Sequence, residues 1–167
     1  MKRCWILCAA LVLLVGTAIA APLSRTASKE PVEITADRLE ADDVAKSLVF
    51  IGNAVAKQGD VTINSDRLTI YYAGQGSAAQ GGDIDRIVAD GSVRIVQGSR
   101  LATAGRAVYF RGEDRMVLTG SPKVTEGSNS VQGNEIILYL KENRSVVMGG
   151  QSGRVNAVFQ PKKGTGR

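Results

Sequence analysis

Apolar and polar residues alternate with a period of two along most of the chain beyond residue 30. Val61 and Ile63 fall on one side of such a segment, and Ile136 and Leu138 do the same in a later one. This alternation is typical of β-strands with one buried face. No long stretch carries the 3.6-residue apolar stripe of an amphipathic helix. The pattern therefore predicts an all-β, antiparallel fold.

Glycines recur in pairs that are seven residues apart, namely Gly52 and Gly59, Gly91 and Gly98, and Gly120 and Gly127. The second glycine of each pair lies where one strand must reverse into the next, because glycine accepts the positive φ of a tight turn. The first lies inside or at the start of a strand, where it predicts a bulge or a bend. A bend at the same place in every unit would let two halves of a sheet face each other.

The glycine pairs belong to a longer repeat. Aligning Thr35, Asn64, Thr103 and Gln132 gives spacings of 29, 39 and 29 residues, and the long interval contains the loop-like stretch "AGQGSAAQGG" at 73–82. A recurring spacing of this size indicates stacked supersecondary units. We therefore expect a stack of long, bent, antiparallel hairpins whose inner faces form one continuous apolar slot.

The repeat also predicts which face points inward. Alternation places Leu48 and Phe50 on the same face as Val93 and Ile95, whereas the charged Arg94 falls on the opposite face. The first set is therefore assigned to the inside. Several inside positions are alanine or glycine, which leave more room than a core of bulky side chains. Periodicity alone favours an ordinary closed core over a ligand slot.

The first 20 residues have the features of a secretory signal peptide. A cationic start at Lys2 is followed by an apolar stretch over 5–15 and by the small residues of 18–20, which predicts cleavage after Ala20. The alternative is a membrane anchor that stays uncleaved, but the apolar run over 5–21 is shorter than the roughly 20 residues that span a bilayer.

Charge and cysteine content narrow the function. Both cysteines, Cys4 and Cys8, would leave with the signal peptide, so the mature chain would contain no disulfide. Loss of Lys2 and Arg3 would lower the net charge from +5 to +3, and the basic residues are too evenly scattered to indicate a nucleic-acid partner.

Candidate catalytic and metal sites are weak. The chain has no histidine, which removes the commonest general base and zinc ligand. Asp83 and Asp85 lack the spaced carboxylate loop of calcium sites, so no metal or cofactor is predicted. Arg38 and Arg67, in "ADRL" and "SDRL", could recognise a phosphate or sugar, but solvated corner residues are the preferred interpretation. We expect a protein that is not an enzyme.

Four segments together resemble the OstA-like family of periplasmic lipopolysaccharide-transport proteins. They are "PVEITADRLEAD" at 31–42, "FIGNAVAKQGDVTINSDRLTIYY" at 50–72, "MVLTGSPKVTEGSNSVQGNEIILYL" at 116–140 and "VNAVFQPKK" at 155–163. The resemblance implies a bent antiparallel β-jellyroll with an open hydrophobic groove over 31–160. The remaining mature residues would be a flexible N-terminal segment at 21–30 and a flexible basic tail at 161–167.

The resemblance also implies a function and partners. Such proteins bridge the periplasm and pass lipopolysaccharide, held by its lipid A acyl chains, towards the outer membrane. One edge would meet a jellyroll partner anchored in the inner membrane, the other would meet the outer-membrane translocon, and copies of the chain would stack head to tail. Two alternatives remain: a scaffold subunit anchored by residues 5–21, and a structural β-repeat protein that binds no lipid.

The predicted lipid-binding groove contains thirteen apolar positions, part of them implied by the resemblance and part assigned by parity: Val32, Ile34, Leu48, Phe50, Ile63, Leu68, Ile70, Val93, Ile95, Tyr109, Leu118, Ile136 and Leu138. Tyr109 is placed inside and Phe110 outside, by parity with Ile70. The predicted partner-binding edge strands are Val32, Glu33, Ile34 and Thr35 at one end, and Val155, Asn156, Ala157, Val158 and Phe159 at the other.

Overall fold

The computed structural model describes residues 31–74, 82–150 and 153–160. The predicted signal peptide, the segment 21–30, the tail 161–167 and most of the 73–82 loop lie outside the described residues. The described part is built from twelve strands. They are β1 (Glu33–Thr35), β2 (Arg38–Asp42), β3 (Ser47–Gln58), β4 (Val61–Tyr72), β5 (Ile84–Gln97), β6 (Arg100–Phe110), β7 (Arg115–Thr119), β8 (Lys123–Glu126), β9 (Asn129–Gln132), β10 (Glu135–Tyr139), β11 (Arg144–Met148) and β12 (Asn156–Val158).

Every strand pair is antiparallel, and the sheet does not close on itself. The long strands β3, β4, β5 and β6 each cross a bend, so the sheet has two halves. The first half-sheet has the order β2-β3-β4-β5-β6-β7-β10-β11, and the second has the order β1-β3-β4-β5-β6-β8-β9-β12. The predicted bent, antiparallel jellyroll is confirmed.

The bends form where the first glycine of each pair was expected to produce one. The β3–β4 register shifts between Ile51 and Ala54, and the intervening Gly52 and Asn53 have φ of 79° and 46°. The same pair of left-handed residues recurs at Gly91 and Ser92 and at Gly120 and Ser121. Because a side chain makes this conformation costly, glycine at the first of the two left-handed positions favours the repeated bend. The turn glycines at 59, 98 and 127 also have positive φ.

An aspartate braces each of the first two bends. The side-chain amide of Asn53 donates a hydrogen bond to Asp37 Oδ2 at 2.9 Å, and Ser92 Oγ donates to Asp66 Oδ2 at 3.2 Å. These two aspartates are the ones in "ADRL" and "SDRL". Their recurrence is therefore explained by the bend, in agreement with the interpretation of those motifs as polar corners.

The two half-sheets pack against each other through a single hydrophobic cluster. Its buried members come from both halves, including Leu68 and Leu118 from the first and Ala54 and Val93 from the second, with exposures of 2% or less. Burial of this kind contributes roughly 25 cal/mol per Å² of apolar surface. The core therefore lies on the inside of the bend, where the half-sheets are closest.

The outer face of the first half-sheet has a row of alternating aromatic and arginine residues that are cross-strand neighbours. The row runs Tyr71, Arg86, Phe110, Arg115, Tyr139 and Arg144. Three guanidinium groups stack on these rings, 3.8 to 4.4 Å from the ring centroids. Exposed cation–π contacts of this kind contribute about 0.5–1 kcal/mol each. Phe110 therefore lies on the face opposite Tyr109, as parity predicts.

Candidate functional site between the half-sheets

Three cross-strand rows of side chains line the space between the half-sheets. The bend row of the first half-sheet consists of Phe50, Leu68, Ala89, Ala107, Leu118, Ile136 and Val147. The distal row, two residues further from the bend, consists of Leu48, Ile70, Ile87, Tyr109, Met116 and Leu138. The facing row of the second half-sheet consists of Ile34, Ala56, Ile63, Ile95, Ala102 and Val124.

Burial decreases with distance from the bend. In the bend row, Leu68, Leu118 and Ile136 have exposures of 0–1%. In the distal row, most side chains are half-buried, including Leu48 and Leu138. The interior is therefore wedge-shaped in cross-section: it is packed at the bend and opens towards the strand ends.

The alanines of the interior do not leave empty space at the bend. Ala54, Ala89 and Ala107 are 1–5% exposed, which means that neighbouring atoms close around them. Small side chains at these positions let the two half-sheets approach closely. The half-buried apolar side chains that a ligand could contact lie instead along the distal row and at Ile34, Ile63 and Val124 of the facing row. The other three members of the facing row are buried.

The predicted groove residues fall into two structural groups. Those buried in the core are Leu68, Ile70, Val93, Ile95, Leu118 and Ile136. Those half-buried on the inner face are Ile34, Leu48, Phe50, Ile63, Tyr109 and Leu138. Val32, which precedes β1, is 44% exposed. The predicted groove residues that lie in strands all fall on the inner face, as parity assigned them. Their contact with lipid stays a prediction.

Two polar atoms lie among these apolar side chains. The Tyr109 hydroxyl donates a hydrogen bond to Asp114 Oδ1 at 2.7 Å. Burial, followed by this hydrogen bond and the Asp114 charge, raises the pKa of Tyr109 to about 12. The Ser65 hydroxyl is buried without a hydrogen-bond partner in the structure. Because its pKa is raised, the Tyr109 phenol stays protonated beside Asp114 and is not an activated nucleophile.

The two ends of the stack are open strand edges. We call β1 and β2 the first edge, and β11 and β12 the last edge, because each of these four strands pairs on one side only. Exposed apolar side chains occur on both, among them Leu39 at 54% and Val158 at 49%. Unpaired backbone groups on an exposed edge readily accept another strand.

The sequence analysis predicted only one of the two strands at each edge. The predicted segments 32–35 and 155–159 correspond to β1 and β12, but β2 and β11 were not among the predicted edge residues. The hairpin repeat contained the missing signal. Because each unit supplies strands to both half-sheets, a terminal unit leaves two strands unpaired rather than one.

The edges carry opposite charge. From Glu33 to Asp42 the first edge contains four carboxylates and one arginine, a net charge of −3. The described residues of the last edge, 144–150 and 153–160, contain Arg144 and Arg154 and no carboxylate, a net charge of +2. Opposite fields of this kind favour the encounter of unlike ends over like ends.

Two surface pockets lie on these edges rather than along the interior. The larger, about 360 Å³, is lined by Gln132, Gly133, Asn134, Gly150, Gly153, Arg154 and Asn156. The smaller, about 160 Å³, is lined by Glu33, Thr35, Val55 and Lys57. Both linings are mostly polar and do not suit acyl chains, so the apolar wedge, not either pocket, is the candidate lipid site.

Other chemistry has little structural support. Within 31–74, 82–150 and 153–160, no group of three or more acidic residues is close enough to hold a metal ion. Arg38 and Arg67 are exposed at the bends, and the guanidinium of Arg38 pairs with Glu40. The described residues also contain no helix with the length and hydropathy needed to cross a bilayer.

A family model and a curated relative match parts of this chain. Residues 33–144 match the family described as "LptA/(LptD N-terminal domain) LPS transport protein". An uncharacterised protein of Rhizobium meliloti (strain 1021) is 37% identical over 76 residues, which cover 44% of this chain and 41% of that protein. The match thus spans less than half of the relative's length.

A solved structure shares the architecture. It is that of LptH from Pseudomonas aeruginosa, described as the LptA-homologous periplasmic component of the lipopolysaccharide transport device. The superposition has a TM-score of 0.68 with 21% sequence identity, and covers 80% of this chain and 98% of that one. At this identity the likeness establishes the fold.

Proposed function

Because the chain belongs to the LptA/LptD N-terminal domain family of lipopolysaccharide transport proteins, we propose that it is a periplasmic bridge protein. In this role it carries lipopolysaccharide from the inner-membrane transport complex to the outer-membrane translocon. The observation that carries the proposal is the apolar wedge: two half-sheets face each other, pack at the bend and expose half-buried apolar rows towards the strand ends. The periplasmic location of this chain is proposed by analogy with LptH, which is described as a periplasmic component.

The wedge suits acyl chains for a simple energetic reason. Transfer of a lipid chain from water to an apolar environment gains about 0.8 kcal/mol per buried methylene. Ten methylenes would gain about 8 kcal/mol on this scale, which corresponds to roughly micromolar affinity before ordering costs are subtracted. No directional polar group is needed for such binding, in keeping with the apolar character of the distal and facing rows.

The acyl chains would contact the half-buried side chains first. Leu48 and Leu138 in the distal row, and Ile34 and Ile63 in the facing row, border the open part of the wedge. Side chains at the bend, such as Leu118, would be reached only if the half-sheets separate. The proposal therefore distinguishes a lipid-contacting part of the interior from a part that holds the fold together.

The two open edges support a role in a chain of proteins. A jellyroll partner anchored in the inner membrane would pair with one edge and the outer-membrane translocon with the other, with further copies of this chain stacked between them. The sequence contains no phosphate-binding loop of the G-x-x-x-x-G-K-[ST] type. Directional transport would therefore take its energy from a partner.

A binding titration tests the lipid assignment. The purified protein is titrated with intact lipopolysaccharide and, separately, with the same lipopolysaccharide after complete removal of its acyl chains. We expect binding of the intact lipid and loss of binding after deacylation. Equal affinity for both would contradict the proposal, because the saccharide and phosphate groups would then carry the interaction.

The anchored scaffold is the second candidate, and the apolar stretch at 5–15 favours it if no cleavage occurs. Mass spectrometry of the N-terminus of the protein isolated from cells separates the two. A chain that begins at Ala21 supports the periplasmic bridge. A chain that retains Met1 supports the anchored scaffold.

A further inference from the structure

The last bend of the sheet is longer than the other three. In each repeat the chain leaves a row of the first half-sheet, crosses the bend and enters a row of the second half-sheet. The crossing takes four positions at the first three bends, namely from Ile51 to Val55, from Asp90 to Arg94 and from Thr119 to Lys123. At the last bend it takes eight, from Met148 to Asn156. Four additional residues are therefore inserted at the last bend.

The larger surface pocket lies at this insertion. Its volume of about 360 Å³ is within the range of small-molecule sites. One wall consists of Gly150, Gly153 and Arg154, which belong to the longer crossing, and the other consists of 132–134 and Asn156. A Cβ added at Gly150 would come within 3.1 Å of the Asn134 side chain. The glycine therefore keeps the space in front of Asn134 open.

The pocket is separate from the apolar wedge. Val131 and Ala157 are cross-strand partners that extend the facing row of the interior. Gln132 and Asn156 adjoin them in sequence, so the side chains of these two residues lie on the outer face. Because Asn156 pairs with Gln132, the pocket lies on the paired side of β12 rather than along its free edge. A ligand in the pocket would therefore not occupy the place of an acyl chain.

The lining suits a ligand that has both an anionic group and hydroxyl groups. Among the described residues that form it, there are three side-chain amides, one guanidinium and three glycines, and no carboxylate. The planar guanidinium of Arg154 can donate two parallel hydrogen bonds to a phosphate. The amides of Gln132, Asn134 and Asn156 can both donate and accept, which matches the hydroxyl groups of a sugar.

Asn134 occupies the place that an aspartate has at the first two bends. Its backbone amide donates a hydrogen bond across the bend to the carbonyl of Met148 at 2.7 Å, as the amide of Asp37 does to Gly52 at 3.0 Å. At the first bend the carboxylate of Asp37 would repel an anion, whereas the neutral amide of Asn134 can donate a hydrogen bond to one. The exchange of a carboxylate for an amide thus coincides with the insertion that forms the pocket.

We propose that this pocket binds a phosphorylated sugar, with Arg154 on the phosphate and the three amides on the sugar hydroxyls. Lys123, which pairs with Gln132 and is exposed, adds positive charge on the same face. The ligand could be a soluble sugar phosphate or a phosphorylated sugar in the glycan of lipopolysaccharide. The proposal does not depend on acyl chains in the wedge.

Isothermal titration calorimetry of the purified protein tests the pocket. The probes are glucose 6-phosphate, glucose and inorganic phosphate. We expect saturable binding of glucose 6-phosphate at one site, and binding of the other two that is weaker by about tenfold or more, because each lacks one of the two recognised groups. Equal affinity for inorganic phosphate and glucose 6-phosphate would overturn the proposal and leave an adventitious ion only.

Two variants locate the binding. Arg154→Gln and Asn134→Asp should each weaken the binding of glucose 6-phosphate by about tenfold or more. Asn134→Asp places at the last bend the residue type that the first two bends already have, so urea denaturation should show an unchanged fold stability. Arg94→Gln is the matched control, because Arg94 is exposed on the same outer face and its row includes Gln132. No binding of glucose 6-phosphate, or equal losses in Arg154→Gln and Arg94→Gln, would overturn the site.

A competition experiment identifies the source of the ligand. Fully deacylated lipopolysaccharide is added in large excess to the complex with glucose 6-phosphate. Displacement would support the site and assign it to the glycan of lipopolysaccharide, whereas no displacement would support a site for soluble sugar phosphates. Binding of intact lipopolysaccharide to Arg154→Gln shows separately whether the carrier function stands.

Discussion

The backbone amide of Asp37 donates a hydrogen bond to the carbonyl of Gly52 at 3.0 Å, across the first bend of the sheet. The amide of Gly105 donates to Gly120 in the same way at 2.9 Å, although no carboxylate is present at that bend. The first and third bends therefore share this backbone contact, and an aspartate side chain braces the first and the second. This contact holds the half-sheets at the angle that forms the wedge.

The bend glycines should be sensitive to substitution. Gly91 has φ of 77°, and an added Cβ would overlap the carboxylate of Asp66. We expect Gly91→Ala to lower the free energy of unfolding by about 1–2 kcal/mol from backbone strain alone, with a further loss from the overlap. Urea denaturation measures the change. Gly112→Ala is the matched control, because nothing lies within 4 Å of its added Cβ; an equal loss there would refute the assignment.

Truncation of an apolar side chain should destabilise the fold more in the core at the bend than on the surface. Leu118 is 0% exposed and lies opposite Ile136, so Leu118→Ala should lower the free energy of unfolding by about 2–5 kcal/mol. Leu140, which is 43% exposed, provides the control. Chemical denaturation of both variants checks the prediction, and similar losses at the two leucines would show that the bend is not the packed part of the interior.

Tyr109 should ionise only at high pH. Its pKa is raised from 10.0 to about 12, chiefly by burial. Because the neutral phenol is favoured in the folded state, its contribution to stability is complete below about pH 10 and is lost as the pH rises through about 12. Absorbance titration at high pH should show a late step that Tyr109→Phe removes. An unchanged late step would assign it to another tyrosine.

The first edge should support association without supporting the fold. Leu39 is 54% exposed in the single copy and would be covered if a second copy stacks on the first edge, so Leu39→Asp should weaken self-association and leave the free energy of unfolding nearly unchanged. Sedimentation velocity and chemical denaturation measure the two properties. Val44→Asp is the control, because Val44 is 96% exposed at the β2–β3 turn, away from the paired edge positions. Equal loss of association in both variants would exclude a specific role of the edge.

The strand pattern and the bends could be predicted from the sequence because both have local causes. Alternating side chains assign Tyr109 and Phe110 to opposite faces, and glycine is required where φ is positive. The closeness of the half-sheets could not be predicted in this way. Whether Leu68 faces a ligand or a neighbouring side chain depends on the angle between the halves, which is set by contacts among residues far apart in sequence. The edge strands β2 and β11 were missed for a different reason: the hairpin repeat implies two unpaired strands at each end, and only one at each end was predicted.

The central claim is that acyl chains enter between the half-sheets. The most direct measurement is crosslinking of lipopolysaccharide in living cells with a photoreactive residue placed at Leu48 or Ile63, which face inward at the open part of the wedge, or at Arg94, which faces outward. We predict lipopolysaccharide adducts at Leu48 and Ile63 and none at Arg94. Adducts at Arg94 without adducts at the two inward positions would contradict the carrier function.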